Sequence, residues 1–155
     1  MKYRFLIAIV LILAVACSKD KFQTKPSLKL VSTSSKEVPI NGFLEVTLEY
    51  TDKEGDLSDS IFVRKIRTNQ RTTATVAARD SLWYKLPAFP NTSKAEVVLR
   101  LGYTNLQSAI NPPSIPNTTP PQKESDSLTL KFVIQDKEKN KSDTVTLTGV
   151  VVSRN

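Results

Sequence analysis

The sequence predicts an all-β domain over residues 27–155, and three observations carry that expectation. Several segments alternate apolar and polar residues with period two. No window holds an apolar 3.6-residue period long enough for a helix. Turn-rich spacers separate the alternating segments. A strand turns successive side chains to opposite faces, so alternation means one face buried and the other wet.

The elements follow in order. Leu28 to Ser32 is a weak first strand. In Phe43 to Tyr50, Leu44, Val46, Leu48 and Tyr50 point one way and Glu45, Thr47 and Glu49 the other. Ser60 to Arg67 and Ser81 to Leu86 are weaker again. Ala95 to Tyr103 sets Val97, Leu99, Leu101 and Tyr103 on one face. Leu128, Leu130, Phe132 and Ile134 make the next such face, and Val145, Leu147, Gly149 and Val151 the last. About seven short strands with turn-rich spacers argue for an antiparallel sandwich of immunoglobulin-like type. The chain lacks the cysteine pair of antibody domains, so the expectation concerns architecture.

Ahead of the domain, Lys2 and Arg4 precede an apolar run from Phe5 to Ala16. At about twelve residues it is shorter than the roughly 20 a spanning helix needs, and it fits the core of an export signal. Leu13-Ala14-Val15-Ala16-Cys17-Ser18 resembles the bacterial lipobox, with Ala14 where Leu is commonest. The resemblance implies a signal peptide over residues 1–16, cleavage before Cys17, and a lipidated tether over residues 17–26. Diacylglycerol on Cys17 plus an N-acyl chain of palmitate type gives the multi-chain anchoring that holds a protein stably on a membrane. Ser18 differs from the Asp of the enterobacterial inner-membrane retention signal, which points to the outer membrane.

Composition excludes more than it assigns. The chain has no histidine, so the commonest general base and zinc ligand are missing. Its one cysteine is Cys17, which leaves neither a disulfide scaffold nor a thiol nucleophile. Four glycines make no phosphate-cradling loop. A pair of carboxylates is the one hydrolytic chemistry still open, and no spacing of acids suggests it. The net charge is +7, and Lys2 and Arg4 leave with the leader. Arg64, Lys65, Arg67, Arg71 and Arg79 are diluted by Thr, Ala and Val, which reads as a solvated face and not as a nucleic-acid site.

Leu48-Glu49-Tyr50-Thr51-Asp52-Lys53-Glu54-Gly55-Asp56-Leu57 resembles the D-x-D/E-G-D-L turn of bacterial Ig-like and cadherin-like repeats. Phe132 to Asp136, with Asn140, Ser142, Asp143 and Thr144, resembles their closing hairpin, and Lys139 stands where those hairpins carry Gly. With the leader, the chain is similar to single-domain lipoproteins of Bacteroidetes type. Asp59-Ser60-Ile61, Asp80-Ser81-Leu82, Asp126-Ser127-Leu128 and Asp143-Thr144-Val145 resemble the O-glycosylation sequon of that group.

Three features are candidates for function. The first is the acid-rich turn, Asp52, Glu54, Asp56 and Asp59. An immunoglobulin-like topology brings it to the pole of Asp136, Glu138 and Asp143, and Asp52, Glu54, Asp56 and Asp136 become candidate calcium ligands. A solvated turn satisfying its own backbone is the competing expectation, and Lys53, Lys137, Lys139 and Lys141 favour it. The second is the loop 104–125, in which five prolines favour extended polyproline geometry. It covers the sandwich edge, meets a protein partner through Pro112, Pro113, Ile115 and Pro116, or is plainly disordered. The third is Ser81 to Leu86 with Phe89. Trp83 falls on the face opposite Leu82, Tyr84 and Leu86, as a core or edge residue or as a glycan-stacking platform. The resulting expectation is a lipid-anchored envelope protein that binds or supports an assembly without catalysis. Its tether holds the acidic turn toward the membrane and the proline loop outward. A calcium-stabilised module and a glycan-binding lipoprotein are the alternatives.

Overall fold

A computed structural model describes residues 25–71, 80–86 and 91–155. The signal segment, Cys17, Phe89 and Arg79 lie outside the described residues. The domain is all-β, and its described residues form eight strands in two sheets. They are β1 (Ser27–Thr33), β2 (Glu37–Val38), β3 (Phe43–Thr51), β4 (Leu57–Arg67), β5 (Ser81–Lys85), β6 (Lys94–Gly102), β7 (Asp126–Asp136) and β8 (Val145–Val152). A single helical turn, α1 (Tyr103–Leu106), follows β6. One sheet has the order β1-β3-β6, the other β2-β8-β7-β4-β5. All pairings are antiparallel except β2 with β8.

The alternation seen in the sequence is the alternation of burial. In β3, Leu44, Val46, Leu48 and Tyr50 are fully buried while the residues between them are not. In β7 every second residue from Asp126 to Asp136 is buried. Leu128, Leu130, Phe132 and Ile134 face Leu44, Val46, Leu48 and Tyr50 in one core shared with β4, β6 and β8. Two sheets each bury one apolar face against the other, which is the packing that gives a sandwich its stability.

Three local departures have physical causes. The inward set of β8 is Val145, Leu147, Val150 and Val152, not Val145, Leu147, Gly149 and Val151. Gly149 sits at φ +74°, and the pairing with β7 slips by one residue between Leu128 and Leu130. A bulge opposes two residues to one and so exchanges the faces of everything after it. β6 ends at Gly102, and Tyr103 starts α1 instead of continuing the buried row. β4 begins at Leu57, so Asp59 belongs to a strand and not to the acid-rich turn.

Candidate functional site

The two poles of the sandwich hold different chemistry. At the first, the turn between β3 and β4 packs against the segment leading into β6. The Asp52 N–H donates to the Ser93 carbonyl at 2.8 Å, and the Tyr50 hydroxyl donates to that of Thr92. Gly55 lies at φ +68°, and a Cβ there would stand 3.1 Å from the Thr92 backbone, so only glycine fits the turn without strain. The β7–β8 hairpin closes on the same turn, since the Lys137 N–H donates to the Asp56 carbonyl at 3.0 Å. Lys139 adopts φ 72° and supplies the left-handed geometry that glycine provides in hairpins of this kind.

The acids meet at this pole as expected, but with different partners. Asp136 is buried, and both its oxygens are taken, by the backbone N–H and side-chain amide of Asn140, each at 2.7 Å. Asp143 pairs with Lys25 in solvent. Asp52 is 3% exposed, and its Oδ2 accepts from the Asp56 N–H at 3.1 Å. Its Oδ1 and the Oδ1 of Asp56 are buried without a fixed donor. Burial raises the Asp56 carboxyl, and so do the adjoining Asp52 carboxylate and the charge of Asp136. Burial likewise raises Glu54, with Glu138 the foremost of the negative charges around it. Asp52, Glu54, Asp56 and Asp136 therefore do not assemble as a metal-ligand set. Among the described residues no group of three or more Cys, Asp or Glu side chains is arranged to hold an ion. The hydrogen bond between the two side chains is one of the causes that hold the Asp56 carboxyl above its ordinary value.

That arrangement has a pH signature. The folded-state value of Asp56 is raised, so its contribution is present below the unfolded value and is lost as pH rises through the folded one. Asp56→Asn is expected to raise Tm at pH 7 by a few degrees and to leave it unchanged near pH 4, measured by thermal melts across that range. A variant equal to the parent at every pH contradicts the raised Asp56 carboxyl.

The opposite pole holds the loop after β6. Asp126, the first residue of β7, is fully buried and accepts the Ser108 N–H at 3.0 Å, Arg67 Nε at 3.1 Å and the Arg154 guanidinium. Burial pushes its carboxyl up, but the Ser108 N–H and the two guanidiniums outweigh that and hold it below its ordinary value. Lys65 occupies an inward position of β4 and is 5% exposed. Its ammonium donates to the carbonyls of Asn105 at 2.7 Å and Gln107 at 2.8 Å, the carbonyls freed by α1, and burial lowers its pKa. Lys65 and Arg67 are thus internal ties, where the sequence suggested a solvated basic face. No sequence signal marks them, because their partners lie about forty to sixty positions away.

These ties order the proline loop. Leu106, Ala109 and Pro112 are buried, so the first half of the loop packs back on the sandwich end. The second half is a small hairpin. The Ile115 N–H donates to the Gln122 carbonyl at 2.9 Å, the Glu124 N–H to that of Pro113 at 2.8 Å, and Ser114 bridges Lys123. The Asn155 side chain ties both backbone groups of Lys123. Pro113 and Ile115 are half-buried, and the exposed tip is Pro116, Asn117, Thr119, Pro120 and Pro121. Of the four residues expected to contact a partner, Pro112 is buried, Pro113 and Ile115 are half-buried and Pro116 is exposed.

Trp83 is 59% exposed on the outer face of the five-stranded sheet, while Tyr84 and Leu86 turn inward. A larger cleft of about 510 Å³ lies between the edge strands β5 and β6, with Leu86, Val97 and Leu99 among its walls and Glu96 as its one carboxylate. The Asp126 carboxylate of one sequon-like triplet is locked inside the fold, whereas Thr144 of another is exposed. No protein-family model, curated protein or solved structure matches this chain.

Proposed function

We propose that this protein is a lipid-anchored, immunoglobulin-like module of the cell envelope that binds a protein partner and performs no catalysis. The observation that carries the reading is the placement of the two poles. β1 begins opposite Thr51, beside the acidic turn, and Lys25 is tied to Asp143 there, so the chain enters at that end. The hairpin 113–124 and the C-terminal Asn155 sit together at the other. A tether at Cys17 then holds the acidic pole toward the outer membrane and carries the hairpin away from it. The strand order β1-β3-β6 against β2-β8-β7-β4-β5 supports the immunoglobulin-like assignment. An ordered, proline-stiffened tip loses little conformational entropy on binding, which suits a recognition element.

The experiment is crosslinking in intact cells, comparing the parent with a chain in which residues 115–122 are replaced by a two-residue turn. The strand pairing on either side stays intact, so Tm is expected to hold while the crosslinked partner disappears. An unchanged set of crosslinked proteins overturns the reading.

A further inference from the structure

The outer face of the five-stranded sheet carries an aromatic row between two cationic rows. Phe62 in β4 pairs in register with Trp83 on one side and Val133 on the other. The two rings meet at 5.1 Å between centroids, tilted by 53°. With Gln135 and Lys141 these three line a shallow depression of about 220 Å³. Two residues along the strands in one direction lie Lys85, opposite Ser60, and the bridged pair Gln135 and Lys141. Two residues in the other direction lie Arg64 and Lys131, paired across β4 and β7. The rise of a strand puts each cationic row about 7 Å from the aromatic one, within reach of Lys and Arg side chains.

The charge on this face is one-sided. The outward residues of β4 from Ser60 onward, and those of β5 and β7, include no acid. Arg64, Lys85, Lys131 and Lys141 have no carboxylate partner among the described residues, unlike Arg67 and Arg154, which share the buried Asp126. Like charges gathered around an exposed indole gain nothing from one another. They complement a ligand that brings a flat apolar face and negative charge together.

The geometry points to this shelf as a binding site for an acidic saccharide, a uronate or sulfated sugar. Its ring C–H face stacks on Trp83, and its anionic groups lie against the Arg64–Lys131 row and against Lys85 and Lys141. One exposed stacking ring in a depression of this size suits one or two sugar rings. A single-stranded nucleic acid is held instead by successive stacking platforms along a charged groove.

Trp83 is the chain's only tryptophan, so its fluorescence reports the site directly. The full-length chain in detergent is titrated with a galacturonate tetramer, a sulfated galactan tetramer that carries no carboxylate, a neutral galactose tetramer and an oligothymidylate, with calorimetry as the second readout. A saturable change in emission is expected with at least one acidic tetramer, and binding at least about tenfold weaker for the neutral one. Which acidic tetramer binds distinguishes carboxylate from sulfate as the recognised group. Trp83→Ala is expected to remove the calorimetric signal, and the double variant Arg64→Ala, Lys131→Ala to weaken it about tenfold, both with unchanged Tm. Equal binding of acidic and neutral sugars, tighter binding of oligothymidylate, or no binding of either acidic tetramer at millimolar concentration overturns the proposal.

Discussion

Replacing Asp126 with alanine is expected to cost about 3–5 kcal/mol of folding free energy, the loss typical of breaking a buried ion pair from one side. The carboxylate is fully buried and pairs with two guanidiniums, of which Arg154 is itself almost enclosed, with 8% of its side chain exposed. Removing it leaves the Ser108 N–H without its acceptor and the enclosed Arg154 guanidinium with the neutral Ala109 carbonyl in place of a carboxylate. The loop after α1 loses its anchor in the same step. Denaturant unfolding measures the loss, and a change below about 1 kcal/mol, the size of an exposed pair, contradicts the structure of this pole.

Acid should reproduce part of that effect without mutation. The folded-state value of Asp126 lies below its ordinary one. Its contribution is therefore complete above the unfolded value, about 3.9 for an aspartate, and is lost as pH falls through the folded one. Asp56 works in the opposite direction over the range above its unfolded value. The parent is expected to lose stability below about pH 4, and the Asp126→Ala variant to show a shallower acid limb.

Phe132→Ala is the other large effect, expected at about 3–5 kcal/mol for a buried aromatic truncated to a methyl group. Phe132 has no exposed surface and lies in β7, flanked by Val63 of β4 and Val145 of β8. Its ring fills the space between the two sheets, which cannot collapse around the void without moving strands that are hydrogen-bonded on both sides. Thr146→Ala, on the wet face of β8, is the control and should stay within about 0.5 kcal/mol.

The sandwich was legible in the sequence where a strand is long, regular and buried on one face. β3 and β7 show this, because each inward position is apolar and each neighbour is not, and a period of two admits one reading. β8 defeats that logic, because Gly149 inserts a residue and the period carries no mark of it. β2 is invisible for another reason: two residues beside β8 leave no pattern to detect. The meeting of the acidic turn with the β7–β8 hairpin followed from topology, but the satisfaction of Asp136 by Asn140 did not. Lys65, Arg67, Asp126 and Arg154 read as ordinary charges, since nothing local distinguishes a cation in solvent from one that caps buried carbonyls. The alternation that puts Trp83 opposite Tyr84 was readable from six residues. The cations around it come from three strands, and only the pairing register brings them together.

We propose that the chain is held at its acidic pole and makes contact at its hairpin pole. A photo-crosslinking residue placed at Asn117, on the exposed tip, and separately at Lys53, on the acidic turn, tests it in intact cells. The account predicts a protein adduct from Asn117 and lipid or no adduct from Lys53. A protein adduct from Lys53 with none from Asn117 contradicts it.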